Sequence, residues 1–171
     1  MHNLVPHFIL ENFARGNLQG EFPAAGLFLD ITGFTNLTET LLQHGQHGAE
    51  VLATVMRAIF DPLVHQVYAH GGFVSGFAGD AFTAVFPRVE GRRQKAETDD
   101  ASSSFRALAA AWRMQEHMRA NTSYDTLYGS FPITAKIGLG AGQVNWGILE
   151  SADQARAAYY FRGSAIDCCV T

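Results

Sequence analysis

The sequence predicts an α+β sandwich, one mixed sheet with helices packed on it. Three observations predict this. The length of 171 residues is that of one domain, a domain usually holding roughly 150 residues. Short apolar runs of strand length alternate with amphipathic stretches of helical period. Their order is a strand, two helices, a hairpin, a helix and then several strands, which suits a ferredoxin-like or palm-like sheet with helices on one face.

The elements follow in chain order. Residues 1–22 have no clean period and read as an arm that packs on the domain or on a partner, the domain proper being 23–171. Ala24 to Ile31 is an apolar run of strand length, buried on both faces, with one charge, Asp30, near its end. Thr32-Gly33-Phe34-Thr35 breaks it, and Thr35 or Asn36 is placed to cap a helix through Leu37, Leu41 and Leu42. His44-Gly45-Gln46-His47-Gly48 ends that helix as a solvated loop. Val51, Leu52, Val55, Met56, Ile59, Phe60, Leu63, Val64 and Val67 keep a 3.6-residue period, with Pro62 predicting a kink or break. Phe73 to Ala78 and Ala81 to Phe86 form a hairpin about Gly79-Asp80. Glu90 to Ser104 is polar and reads as a loop, with Arg92, Arg93 and Lys95 at a solvated tip. Phe105, Leu108, Ala109, Trp112, Met114 and Met118 mark a third helix. Ile133 to Gly140 and Val144 to Leu149 read as two strands turning at Ala141-Gly142-Gln143, with Asn145 and Trp146 either structural or in contact with a partner. Ala157 to Phe161 is a further strand, and Gly163-Ser164 opens a last helix. The chain stops about two turns into it, which suggests a piece of a longer polypeptide.

Composition excludes several classes of function. Hydrophobic residues make up 47%, too many for a disordered chain. A net charge of -4 and a pI near 5.9 give no electrostatic grip on nucleic acid or anionic lipid. No apolar run is long enough for a membrane span, and no basic stretch precedes an apolar one at the N-terminus, so a cytoplasmic protein is expected. Cys168 and Cys169, being neighbours, form neither a disulfide framework nor a zinc-ligand spacing. Of the 12 basic residues only Lys95 and Lys136 are lysines. His44 and His47 lack further ligands nearby.

Asp30 and Asp80 are the candidates for chemistry, although an aspartate near a strand end also serves as a cap and Gly-Asp is a common turn dipeptide. A charge in an apolar strand costs several kcal/mol unless it is paired or holds a metal. If the two strands are neighbours, both carboxylates converge on one sheet edge, a standard way to hold Mg²⁺ that also binds substrate phosphates. The backbone N–H groups of Thr32, Gly33, Phe34 and Thr35, close to a helix start, can cradle a triphosphate.

Phe28-Leu29-Asp30-Ile31-Thr32-Gly33-Phe34-Thr35, with Gly71-Gly72 and Phe77-Ala78-Gly79-Asp80-Ala81, resembles the catalytic domain of class III adenylate/guanylate cyclases. Tyr159 to Asp167 extends the resemblance, and looks like the first, metal-binding half of soluble, bicarbonate-responsive adenylyl cyclases and their bacterial relatives. The resemblance implies a dimer with interfacial sites. It implies two Mg²⁺ or Mn²⁺ ions held by Asp30, Ile31 and Asp80, and a nucleoside triphosphate, ATP ahead of GTP, cyclised with release of pyrophosphate. It implies that a complementary half, in the same native polypeptide, supplies a base-reading lysine, an asparagine and an arginine.

This sequence departs from that pattern at three positions. Gly76 stands four residues before Asp80, where the family has its base-reading lysine. Asp167 stands at the asparagine position, and Thr171 at the arginine. The chain alone is therefore expected to be nearly inactive. Gly76 and Val170 also stand where the bicarbonate site would need a lysine and an arginine. The alternative is a degenerate cyclase-like module that senses nucleotide or only dimerises. A diguanylate-cyclase reading is weaker, because Gly71-Gly72 precedes the hairpin and is not its tip.

Overall fold

A computed structural model describes residues 5–88, 102–153 and 155–170. In chain order the elements are α1 His7–Ala14, β1 Gln19–Thr32, α2 Phe34–Leu42, α3 Gly45–Ala69, β2 Phe73–Ala78, β3 Ala81–Pro87, α4 Ser103–Ala120, β4 Ser123–Thr126, β5 Gly129–Pro132, β6 Thr134–Glu150, β7 Ala157–Arg162 and α5 Ser164–Val170. Five strands form one sheet in the order β2-β3-β1-β6-β7, and β4 and β5 form a separate two-stranded ribbon.

The α+β sandwich of ferredoxin-like type is as expected. The sheet, however, is not mixed, because every pairing in it is antiparallel. The crossover through α2 and α3 makes β1 and β2 run the same way, but β3 returns between them, so no parallel pair bonds directly.

Alternation along β1 sorts its side chains. Ala25, Leu27, Leu29 and Ile31 face α2, α3 and α4 and build the main core with Ile59, Leu63, Phe82 and Met114. The opposite face is covered too, which the one-face expectation missed. There α5 lies on β1 and β6, and Phe8 of α1 stacks among Phe22, Phe73, Trp146 and Phe161. The arm therefore contains a helix docked on the sheet, and β1 starts at Gln19.

A second difference lies in β6, one strand of 17 residues rather than two. The expected turn at Ala141-Gly142-Gln143 does not exist. Gly138, Gly140 and Gly142 recur every second residue and leave room for α5. A Cβ at Gly140 would lie 2.7 Å from the Ala165 carbonyl oxygen, and one at Gly138 or Gly142 would overlap Cys169 or Ser164. Glycine in a strand here marks close backbone approach, not a turn.

The other differences are local. The helix α3 runs unbroken through Pro62, with Ile59, Phe60, Leu63 and Val67 anchoring it on both sides. Ser102 caps α4 through a 3.1 Å bond from the Phe105 N–H, so Ser103 and Ser104 belong to the helix rather than to a loop. The rest of that expected loop, with Arg92, Arg93 and Lys95, lies outside the described residues. The β4–β5 ribbon was not anticipated. No helix among the described residues is long and apolar enough to cross a membrane.

Candidate functional site

Asp30 is the last even-numbered residue of β1 before Thr32, on the face opposite the main core. Its cross-strand partners are Ala81 in β3 and Lys136 in β6. The hairpin turn that carries Asp80 is tied to the same strand end, because the Ile31 N–H donates to the Asp80 carbonyl oxygen at 3.2 Å. Gly79 makes that turn at φ +64°. The two aspartates expected to converge are thus brought to one end of the sheet by adjacent strands. Both are half-buried. Among the described residues, neither carboxylate has a hydrogen bond or an ion pair.

Ile31 is 2% exposed and packs in the core, so only its main chain can face a ligand. Thr32 ends β1. Gly33 then turns the chain at φ +98°, ψ -6° and is the N-cap of α2, with no side-chain cap bond. That corrects the expectation of a cap at Thr35 or Asn36, which lie inside the first turn. A Cβ at Gly33 would overlap the Pro132 carbonyl oxygen, so the position needs glycine for both its dihedral and its contact. Phe34 packs on the core, while Thr32 and Thr35 are exposed. The first N–H groups of α2 thus have no side-chain cap.

Lys136 is one of the two lysines of the sequence. Register makes it the direct neighbour of Asp30, on the same face of the sheet. It is exposed and forms no ion pair with Asp30. Only knowledge of strand pairing could have found it, since 106 residues separate the two in the chain.

The departures from the family pattern are also placed. Gly76 lies on the edge strand β2, just after the bulge at Ser75, and a Cβ there would meet nothing within 4 Å. Asp167 is exposed in the first turn of α5. Thr171 lies outside the described residues.

Of the remaining candidates, Trp146 is buried against Ile9 and Ile148 beneath α1 and takes the structural role. Asn145 is half-buried and pairs with Arg162 across β6 and β7. Met114 is core, and Trp112 is exposed. Cys169 is buried, donates its S–H to the Ile166 carbonyl oxygen at 2.9 Å, and burial pushes its pKa up to about 11. His44 and His47 do not lie in a solvated loop. They flank and begin α3, and both rings face Tyr128. No group of three or more His, Cys, Asp or Glu side chains that could hold a metal occurs among the described residues. Any metal at Asp30 and Asp80 therefore rests on two carboxylates.

The geometry has counterparts among known proteins. Adenylate cyclase type 10 of Rattus norvegicus is 28% identical over 151 residues, covering 85% of this chain. The adenylyl cyclase CyaB of P. aeruginosa matches at TM-score 0.62 and 21% identity, over 89% of this chain and 71% of that one. The guanylyl cyclase Cya2 matches at TM-score 0.61 and 23% identity, over 90% and 70%. The fold is that of a class III nucleotide cyclase catalytic domain. Its relatives and structural neighbours are adenylyl and guanylyl cyclase catalytic domains. The chain spans about 8% of the length of the curated relatives it matches. No family model matches it.

Proposed function

We propose that this chain is the metal-binding half of a class III nucleotide cyclase, which converts ATP or GTP to a 3′,5′-cyclic nucleotide and pyrophosphate. One observation carries the reading. Asp30 and Asp80 stand together at one sheet end, half-buried and without a protein partner among the described residues, beside the uncapped start of α2. The β1–β3 pairing and the bond from the Ile31 N–H to the Asp80 carbonyl oxygen bring the two residues to the same sheet end. Hard oxygen donors of this kind suit Mg²⁺ or Mn²⁺, with Ile31 able to add its carbonyl oxygen and substrate phosphates completing the shell. The residues thus fit two divalent ions.

When bound, such ions lower the pKa of the attacking ribose 3′-hydroxyl and offset triphosphate charge. The rest falls to the chain. The backbone N–H groups of Thr32, Gly33, Phe34 and Thr35 would hold phosphate oxygens at the positive end of α2. Lys136 would add a point charge on the same face. Residues 23–171 supply this half-site, with α1 and the start of β1 as an arm docked on it.

The base and the transition-state charge need another half. Gly76 offers no side chain, Asp167 carries the wrong sign, and Thr171 lacks a charge. Losing one such donor costs about 10²–10³ in rate, so the isolated chain is expected to be nearly inactive. A complementary domain in the native polypeptide would supply the lysine, asparagine and arginine in a composite dimer site. ATP is favoured over GTP because the curated relatives at 28% identity are named adenylate cyclases. Regulation by bicarbonate through the Gly76 and Val170 positions is not expected. The same open Gly76 favours one alternative, a non-catalytic module that binds nucleotide or only dimerises.

The test is cyclic nucleotide formation from ATP and from GTP with Mn²⁺, using the full native protein that contains this chain beside its Asp30→Ala form. Product that disappears on substitution is expected. A folded, dimeric protein that makes none from either nucleotide would sink the enzyme reading and leave the module.

A further inference from the structure

We propose that the outer face of α4 is a self-association surface, on which a second copy of this chain docks its own α4 antiparallel. The inference does not depend on the cyclase reading.

Side chains on α4 are sorted against size. The face turned to the core carries Ala107, Ala110, Ala111, Met114 and Met118, all buried. The larger apolar residues point outward: Phe105 is 50%, Leu108 54% and Trp112 59% exposed. Their i, i+3, i+7 spacing sets them in one stripe about 10 Å long. Single exposed apolar side chains are ordinary, but two aromatic rings and a leucine side by side make a contiguous patch, the mark of a protein contact. A helix apolar on both faces is one that is covered on both, and here the sheet covers only one.

Charge, shape and area make the occupant a second copy. The stripe is uncharged. The one charge in the first ten residues of α4, Arg106, is turned inward and donates to the carbonyl oxygens of His70, Gly71 and Pro87. The next two, Arg113 and Glu116, pair with each other at 2.9 Å. Two chains of net charge -4 therefore meet here with no like charges opposed. The stripe is also its own complement. A two-fold axis at Leu108 and Ala109 sets Phe105 of one copy against Trp112 of the other at both ends, with Leu108 on Ala109 between them. The three side chains expose about 300 Å² per copy. A stable complex needs about 800 Å² per partner, so the patch is too small for a permanent partner and suits weak, reversible pairing. Because α4 packs on the core side of the sheet and Asp30 stands on the opposite side, such a pair leaves the two aspartates open.

The experiment is sedimentation velocity of the whole chain from about 1 µM to about 500 µM, with tryptophan emission read in parallel. A monomer–dimer equilibrium is expected, with a dissociation constant between about 10 µM and about 1 mM, in keeping with a small transient contact. Emission should shift to the blue as the dimer fills, and the shift belongs to Trp112, because Trp146 is already buried. Trp112→Gln should weaken the dimer at least about ten-fold. Phe13→Gln removes a comparably exposed ring from α1 and should leave the dimer unchanged. Both side chains face solvent, and circular dichroism matching wild type confirms that the variants fold. A chain that stays monomeric to about 500 µM would overturn the proposal and leave the stripe to a different partner. So would a dimer that survives Trp112→Gln, as pairing through the Asp30 face would, or one that Phe13→Gln weakens equally.

Discussion

Replacing Gly33 with alanine should destabilise the protein more than replacing Gly79, although both glycines have positive φ. Gly33 is at φ +98° and Gly79 at φ +64°. An L-residue in that region costs roughly 1–2 kcal/mol, a term the two share. They differ in space. Nothing lies within 4 Å of a Cβ at Gly79, whereas one at Gly33 overlaps the Pro132 carbonyl oxygen well inside the 3.0 Å that real Cβ atoms respect. That oxygen cannot retreat cheaply, because Pro132 pairs with Ser123 and the next residue, Ile133, is fully buried. Forcing an extra methyl against a fixed neighbour costs about 1–3 kcal/mol. At about 2–4 °C per kcal/mol for a chain of this size, Gly33→Ala should melt about 2–12 °C below Gly79→Ala. Thermal unfolding followed by circular dichroism measures the gap. If Gly79→Ala melts as low as Gly33→Ala, or if Gly33→Ala melts like wild type, then Pro132 does not constrain the start of α2.

Gly138→Ala should lift α5 from the sheet and cost about 1–3 kcal/mol, while Gly76→Ala, with open space around it, should stay within about 0.5 kcal/mol of wild type; urea midpoints at constant slope separate the two. Arg106 donates to the carbonyl oxygens of His70 at 3.2 Å and Gly71 at 2.9 Å, and also to Pro87. Arg106→Met strands these three acceptors, and a loss of about 2–4 kcal/mol in urea unfolding is expected; an unchanged midpoint would mean that water replaces the guanidinium. Burial holds Cys169 protonated to about pH 11 in the folded state, whereas an unfolded thiol ionises near pH 8.5. The folded state then binds the extra proton between about pH 8.5 and 11, so this contribution is intact below that window and is lost as pH rises through it. Urea midpoints at about pH 8 and about pH 10 should therefore fall further for wild type than for Cys169→Ala; equal falls would count against it.

The sequence disclosed what is local and withheld what depends on pairing. Asp30 and Asp80 stood out as candidates because each breaks its own surroundings, a charge in an apolar strand and a turn after Gly79, and because the cyclase resemblance runs through both. Lys136 did not, because nothing near it in the chain marks it, and only the β1–β6 register sets it across from Asp30. The same limit explains the misread glycines. Alternation at Gly138, Gly140 and Gly142 looks like a turn signal until α5 is seen to lie on them. The ribbon escaped notice because β4 and β5 have four residues each and are half-exposed, too short for a period to show. Around His44 and His47 the error has one cause. Gly45 and Gly48 suggest a solvated loop, but Gly48 is buried, and a Cβ there would overlap the Leu41 carbonyl oxygen, so it lets α3 fold back tightly on α2. That close return is what sets both histidine rings against Tyr128. A glycine that brings two backbones together and one that loosens a chain have the same signature in sequence, and they differ only in what stands opposite.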